Sequence, residues 1–437
     1  MKILIRIMDA LFLTLFACGN IFLAENSLLI AYLPLTVIFI AVNIFPSVCN
    51  AKIKSFRNRV CAEGADLLTS FLIAVTLTVA FYVTELIVSG ISAFWWISAG
   101  LAVLELSIVF WNGIIRVYCT SVQLGIKYRV IGILCGVIPI VNIWALHKII
   151  KVTSTEAWFE HNKYMLNKQR EPYEICRTKY PLLMVHGIFF RDYKYINYWG
   201  RIPNELRKNG STVYFGSHQS ALPVSLSGAE LAQRIKNICE QTGCEKVNII
   251  AHSKGGLDAR YATSLCGAEK YVASLTTIST PNRGCVFVDW LLNKVPKSVQ
   301  KQIAATYNAA LRKLGETPDF IAAVNDLTYK RCEELNREMT DADSVFYQSV
   351  GSKLNKAVSG KFPMNMSYHF VKHFSGANDG LVSEDSFAHG EYKFLTVKGK
   401  RGISHADTID MNRENIDGFD VREFYVQLVA ELKQKGF

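Results

Sequence analysis

The chain has 437 residues, half of them hydrophobic, which is more than one small core organises and enough for two domains. Its formal charge of +11 divides into +4 over residues 1–150 and +7 over the rest, with no basic stripe interleaved with aromatics, which excludes a nucleic-acid binder. The eleven cysteines are scattered with no CxxC pair or zinc-spaced Cys/His set, which excludes a disulfide scaffold, although Cys239 and Cys244 lie close in sequence.

Residues 1–150 read as a multi-span transmembrane region of four long spans and a shorter fifth. Ile3–Ala24 and Ser27–Val48 are each long enough to cross a hydrocarbon layer of about 30 Å. Leu67–Ser89 and Ile91–Trp111 form a second pair, and Val130–Leu146 is a fifth stretch broken by Pro139 and Asn142. Lys2 and Arg6 before an apolar run look like a signal peptide, but the further long runs favour an uncleaved anchor in the cell membrane. Lys52, Lys54, Arg57 and Arg59, then Arg116, Lys127 and Arg129, mark two loops as cytoplasmic. The fifth stretch then decides the side of everything after it: exterior if it crosses, cytoplasmic if it is re-entrant. Glu105 sits in the middle of the fourth span, where an ionisable group is costly and is expected to be functional or paired.

Residues 151–179 are charged and read as a helix and linker, and residues 180–437 as an α/β domain. Pro181–Val185, Ser211–Phe215, Val247–Ala251 and Tyr271–Ile278 are short apolar strands. Ser227 with Glu230 three residues on has the form of a capping box and is expected to start a helix. Tyr368–Phe374 and Tyr392–Val397 read as two further strands. Strands alternating with helical runs predict a mostly parallel sheet with helices on both faces.

Ala251-His252-Ser253-Lys254-Gly255 is a G-x-S-x-G pattern with Ala in first place. In a nucleophile elbow the Ser stands on a strained strand-to-helix turn, and small residues two before and two after let that turn close. Ser253 is therefore the candidate nucleophile, and the helix that follows aims free N–H groups at developing negative charge. The base and its carboxylate partner should follow along the chain, in loops beyond the C-terminal ends of strands. His405 comes after the Tyr392–Val397 strand, whereas His389 precedes it and is the runner-up. Asp379 lies in the tight turn Asn378-Asp379-Gly380, with Asp385 as the alternative. His186-Gly187-Ile188 follows the first strand, and the backbone N–H groups of Ile188 and Lys254 are the candidate oxyanion donors.

The segments YPLLMVHGI, YWGRIPNELRKNGSTVY, KVNIIAHSKGGLDARY, STPNRG, GANDGLV and SHADTID together resemble the bacterial true lipases, the triacylglycerol lipases of the α/β-hydrolase fold, over about residues 180–437. The resemblance implies an acyl-ester hydrolase with Ser253, Asp379 and His405 as triad, Ile188 and Lys254 as oxyanion donors, a lipid ester substrate and no organic cofactor. It also implies a mobile helical lid, matched by Cys285–Leu314 within an insertion of about 285–340 and carrying Phe287, Val288, Trp290, Leu291 and Leu292. The family often holds its His loop with calcium through two Asp side chains, a Gln side chain and backbone oxygens. Here Asp407 matches one Asp, Met411 stands where the Gln would be, and no Asp or Glu occurs between Asp343 and Asp379, so no metal is expected. An acyltransferase or thioesterase would use the same triad, and a membrane scaffold with an inactive domain would share the outline.

Overall fold

The structure is a computed structural model describing residues 2–26, 29–46, 48–136, 138, 140–188, 197–313 and 315–437. Ser27, Pro139 and Leu314, three positions that the sequence analysis uses, lie outside the described residues. The chain divides into two compact units, Met1–Lys168 and Gln169–Phe437.

The first unit is helical: α1 (Lys2–Asn26), α2 (Leu29–Ile44), α3 (Phe56–Ser89), α4 (Ala93–Thr120), α5 (Gly125–Gly136) and α6 (Val141–Arg170). Among the described residues three helices are long and apolar enough to cross a membrane, by length and composition: α1, α3 and α4. Side chains such as Ile87, Val103, Leu104 and Ile115 point outward, while Leu13, Phe16, Leu67, Leu106 and Val109 pack between helices. Glu105 has a partner that the sequence does not reveal: Asn20 Nδ2 donates to its Oε2 at 3.1 Å. The fifth apolar stretch is not one segment but falls on two helices, α5 and α6. The expected division at residue 150 falls inside α6, where Ile149, Thr153, Glu156 and Ala157 are buried at helical spacing and carry the helix on.

The second unit is built on a six-stranded sheet in the order β2-β1-β3-β4-β5-β6, with every neighbouring pair parallel. It opens with β1 (Leu182–Val185), α7 (Ile202–Lys208), β2 (Val213–Phe215), α8 (Val224–Thr242), β3 (Val247–His252), α9 (Lys254–Leu265) and β4 (Val272–Ile278). Then come α10 (Val286–Lys294), α11 (Lys297–Arg312), α12 (Phe320–Asn325) and α13 (Tyr329–Glu338). It closes with β5 (Phe346–Ser352), α14 (Met364–Ser375), α15 (Glu384–Phe387), β6 (Glu391–Leu395) and α16 (Val421–Gln434).

Alternate strand residues serve opposite faces, as the pleat requires. Leu182, Met184 and Ile250 pack with Trp199, Ile202, Leu206, Tyr425 and Val429 from α7, α16 and the turn before α7. Leu183, Val185, Ile249 and Ala251 pack with Leu231, Ile235, Ala259 and Ala262 from α8 and α9. Cover on both faces explains why β1, β3 and β4 are buried throughout.

Two local expectations are corrected. Tyr368–Phe374 is not a strand but the body of α14, in which Met364, Ser367, Tyr368 and Val371 are buried at i, i+3, i+4 and i+7. The aromatic run mimics strand propensity, and its helical face is set by packing. Ser227 does not begin α8, which starts at Val224 after Pro223. The Ser227 hydroxyl bonds the Gln219 and Leu222 carbonyls, and Glu230 accepts from the Gln219 amide at 2.9 Å.

Candidate active site

The strand order reverses at β1, whose neighbours are β2 on one side and β3 on the other. Ligands of open parallel sheets bind beyond the carboxyl ends of strands at such a switch point. His186-Gly187-Ile188 leaves β1 there, and Ser253 leaves β3 beside it. Ser253 has φ 56° and ψ −133°, a conformation open to few non-glycine residues. Its own N–H donates to the Ile278 carbonyl of β4 at 2.9 Å, which fixes the turn.

The small residues around the turn have measurable reasons. A Cβ on Gly255 would lie 2.2 Å from the His186 carbonyl oxygen. A Cβ on Gly187 would stand 3.0 Å from the Ser253 Cβ and 2.7 Å from the Tyr198 hydroxyl. The two loops therefore approach closely only because these side chains are missing. Lys254 begins α9, so its backbone N–H belongs to the unpaired first turn. Its fully buried side chain points inward, with Nζ 2.6 Å from Asp258 Oδ1 and 3.1 Å from the Ser227 hydroxyl. Burial raises the Asp258 carboxyl to about 6 against the opposing pull of Lys254. Ile188 is buried against Val224, Leu257 and Ala323, which orients the loop that carries its N–H.

Asp379 and His405 meet across the ends of β5 and β6. His405 Nδ1 lies 2.7 Å from Asp379 Oδ2, and the His405 N–H donates to the Asp379 carbonyl at 2.9 Å. A carboxylate only accepts, so Nδ1 carries the proton and Nε2 keeps its lone pair. Asp379 is fully buried, and its Oδ1 accepts from the Leu381 and Val382 amides at 2.9 Å each. The turn chemistry that singled out Asp379 is thus the same chemistry that aims its second oxygen. Among the described residues the Ser253 hydroxyl makes no hydrogen bond to His405, and such contacts often tighten only with substrate bound. The two are nevertheless near each other: the ring of His252, adjacent to Ser253 in the chain, has its centroid 4.5 Å from that of His405.

His252 itself was missed. It is fully buried, and its Nε2 donates to the His405 carbonyl at 3.2 Å while Nδ1 accepts from the Tyr198 hydroxyl at 2.6 Å. Thr408 adds a second donor to the same carbonyl at 2.8 Å. Burial, then the nearby His405, hold the His252 imidazole well below its ordinary value, so it stays neutral. Its position directly before the elbow serine, at the end of an apolar strand, is the signal that could have found it. His186 is buried and stacked on His218 at 4.3 Å, and burial pushes it down to about 3.

The rejected alternatives are elsewhere. His389 Nε2 lies 3.2 Å from Asp341 Oδ1, before β6, and Asp385 lies in α15.

No family model matches the chain. It is 28% identical over 292 residues to a triacylglycerol lipase of Pseudomonas fragi, covering 59% of this chain and 98% of that protein. It is 33% identical over 179 residues to a triacylglycerol lipase of Pseudarthrobacter phenanthrenivorans, covering 38% of this chain and about half, 55%, of that one. The chain is a relative of the triacylglycerol lipases. The solved lipase of Staphylococcus hyicus aligns with a TM-score of 0.48 at 18% identity, over 59% of this chain and 97% of that one.

Two features bear on the pattern that the resemblance implies, the helical insertion and the calcium loop. The insertion after β4 holds α10 and α11, and no residue of α10 is buried. Its apolar cluster is half-buried: Val288 packs against the core around Ile188 and Leu257, and Trp290 and Phe287 rest on Phe370 of α14 at 4.9 and 6.1 Å between centroids. From α11, the Tyr307 hydroxyl donates to the Ile188 carbonyl at 3.2 Å, which ties the insertion to the loop that leaves β1. The second feature is Asp407, whose two oxygens face Arg401 Nη1 and Nη2 at 3.2 Å each.

Proposed function

We propose that this carboxylic ester hydrolase is a membrane-anchored lipase that cleaves acyl esters of lipids, with Ser253 as nucleophile, His405 as general base and Asp379 as the carboxylate that orients it. The observation that supports this most is the buried Asp379–His405 pair beside a serine held at positive φ. His405 Nε2 takes the Ser253 proton as Oγ attacks the ester carbonyl. The oxyanion is held by the Ile188 and Lys254 N–H groups, each such donor being worth about 3–4 kcal/mol of barrier. Asp379 stabilises the imidazolium, which hands its proton to the leaving alcohol. Water, deprotonated by His405, then attacks the acyl-enzyme and releases the fatty acid.

The three long apolar helices support a multi-pass anchor in the cell membrane, which would bring the domain to lipid esters without a search through solution. The half-buried apolar side chains of α10, among them Phe287, Trp290 and Leu291, support a lid that opens at a lipid surface.

A serine-directed fluorophosphonate is expected to label the intact protein and to fail on Ser253→Ala. Unlabelled wild-type protein would point instead to an inactive membrane scaffold. With long-chain esters in vesicles, free fatty acid is the expected product. Transfer of the acyl group to an added alcohol without free acid would make the protein an acyltransferase. Turnover indifferent to acyl length and to vesicles would remove the lipid substrate from the proposal.

A further inference from the structure

We propose that Arg401 fastens the loop carrying His405 in place of a divalent cation, so that the site works without calcium. The inference rests on the reading of His405 as general base.

Asp407 lies two residues beyond His405 and is buried. Its Oδ2 accepts from the Ser404 N–H at 2.9 Å and from Arg401 Nη1 at 3.2 Å, and its Oδ1 accepts from Nη2 at 3.2 Å. The same Nη2 reaches Glu414 Oε2 at 2.5 Å, and Glu414 Oε1 pairs with Lys361 Nζ at 2.5 Å. Two cations and two carboxylates thus form a balanced quartet around the loop. Arg401 is fixed in turn: its carbonyl accepts from the Asn355 N–H at 3.2 Å, and the Ile403 N–H donates to the Lys353 carbonyl at 2.7 Å. At the far side of the loop a second fork closes on Asp410, to which Arg201 gives its backbone N–H, Nε and Nη2 at 2.8 Å each.

Calcium does not fit these residues. It takes six to eight oxygens at about 2.3–2.6 Å. Both oxygens of Asp407 already face a guanidinium, and a dication there would add charge to a neutral cluster and stand against Arg401. The thioether of Met411 is no ligand for it, and no carboxylate lies between Asp343 and Asp379. A planar guanidinium matches a carboxylate with two parallel bonds and cannot be removed by a chelator. The consequence for chemistry runs through the backbone. His405 stands between Ser404 and Asp407, so slack at Asp407 moves the imidazole relative to Asp379 and Ser253.

The test uses the full chain in detergent, as wild type, Arg401→Ala, Arg401→Lys and Glu414→Gln. Steady-state ester hydrolysis and hydrogen exchange of the backbone amides of residues 403–408 are measured with EDTA and with added calcium. Wild-type kcat and exchange are expected to stay within about twofold under both treatments. Arg401→Ala should lose about ten- to hundredfold in kcat with KM within about twofold, because misplacement by around 1 Å costs that much. Its exchange at Ser404 and Asp407 should rise. Arg401→Lys should restore part of both, and Glu414→Gln, which keeps the Asp407 fork, should show a smaller loss even if Arg401→Ala does not fold. A wild-type enzyme that loses activity in EDTA and recovers it with calcium would overturn the proposal, as would an Arg401→Ala protein with unchanged kcat and exchange. Hydrogen exchange needs no turnover, so it decides the clamp even if the hydrolase reading fails.

Discussion

In residues 1–168 the aliphatic side chains of Ile87, Val103, Leu104 and Ile115 stand outside while Asp66, Asn20 and Glu156 are buried. In residues 169–437 Leu182, Ile249, Leu275 and Val429 are inside, as Leu13 and Leu67 are in the first unit, but fewer large apolar side chains stand outside. Several buried polar groups in each unit are paired. Asp66 accepts from Asn50 at 2.7 Å, and Glu156 accepts from Ser121 and from the Val122 and Gln123 amides. Asp258 and Lys254 pair in the second unit in the same way. Pairing offsets the cost of burying these groups in both units, and the outer surface of the first is the more apolar. The contrast teaches where each unit's information lies. The outer face tells the first unit's solvent, whereas the rim of a buried sheet tells the second unit's chemistry.

The sharpest separation of the two comes from Ser253→Ala, expected to lower kcat by about 10⁴–10⁶-fold while both units stay folded, checked by hydrolysis and circular dichroism. Full activity in that variant would remove the chemistry from the second unit's switch point. Asp379→Asn should cost about 10³–10⁴-fold in kcat with little change in KM, since the amide can favour the wrong imidazole tautomer.

Leu104→Asp tests the first unit. At the middle of a span it should cost about 3 kcal/mol of insertion free energy, read from the membrane-inserted fraction of the protein. The matching change in the second unit, Leu226→Asp, exposes a carboxylate in the first turn of α8 and should change stability by no more than about 0.5 kcal/mol. Equal effects at the two positions would mean that the first unit's outer face meets water.

Acid should act on the second unit through His186 and His252, both held below their ordinary values. Below pH of about 6.5 the unfolded chain binds protons that the folded state refuses, so stability falls as pH falls. The slope is up to about 1.4 kcal/mol per pH unit for each imidazole. Asp258, raised to about 6, acts in the opposite sense between its ordinary value and about 6 and offsets part of this. Melting temperatures measured from pH 8 to pH 5 should therefore decline, and a flat profile would contradict the buried neutral state of the two histidines.

Much of the second unit was legible because its signals are local. The apolar run before Ser253 is β3, the glycine after it is required by a 2.2 Å approach, and Asn378-Asp379-Gly380 is a turn. The strand β5 and the helical state of Tyr368–Phe374 were not legible. The seven residues Phe346–Ser352 mix polar and apolar types although Gln348–Ser352 are buried, and Gln348 is accommodated there by its bond to the Thr276 hydroxyl at 2.8 Å, a partner from β4. Aromatics suit a strand or a helix equally until something packs on one side of them. The partner of Glu105 was illegible for a different reason, since Asn20 is 85 residues away along the chain.

The order of residues by itself determined the long apolar runs, the strand that leads to Ser253 and the small residues that let its turn close, because each depends on neighbours within a few positions. Only the tertiary structure decided which oxygen of Asp379 meets His405, that His252 and Thr408 hold the His405 carbonyl, and that Arg401 faces Asp407. Those pairings are set by strand order and by loop closure over long separations, and a hydrogen bond forms only where the fold has already brought donor and acceptor within about 3 Å.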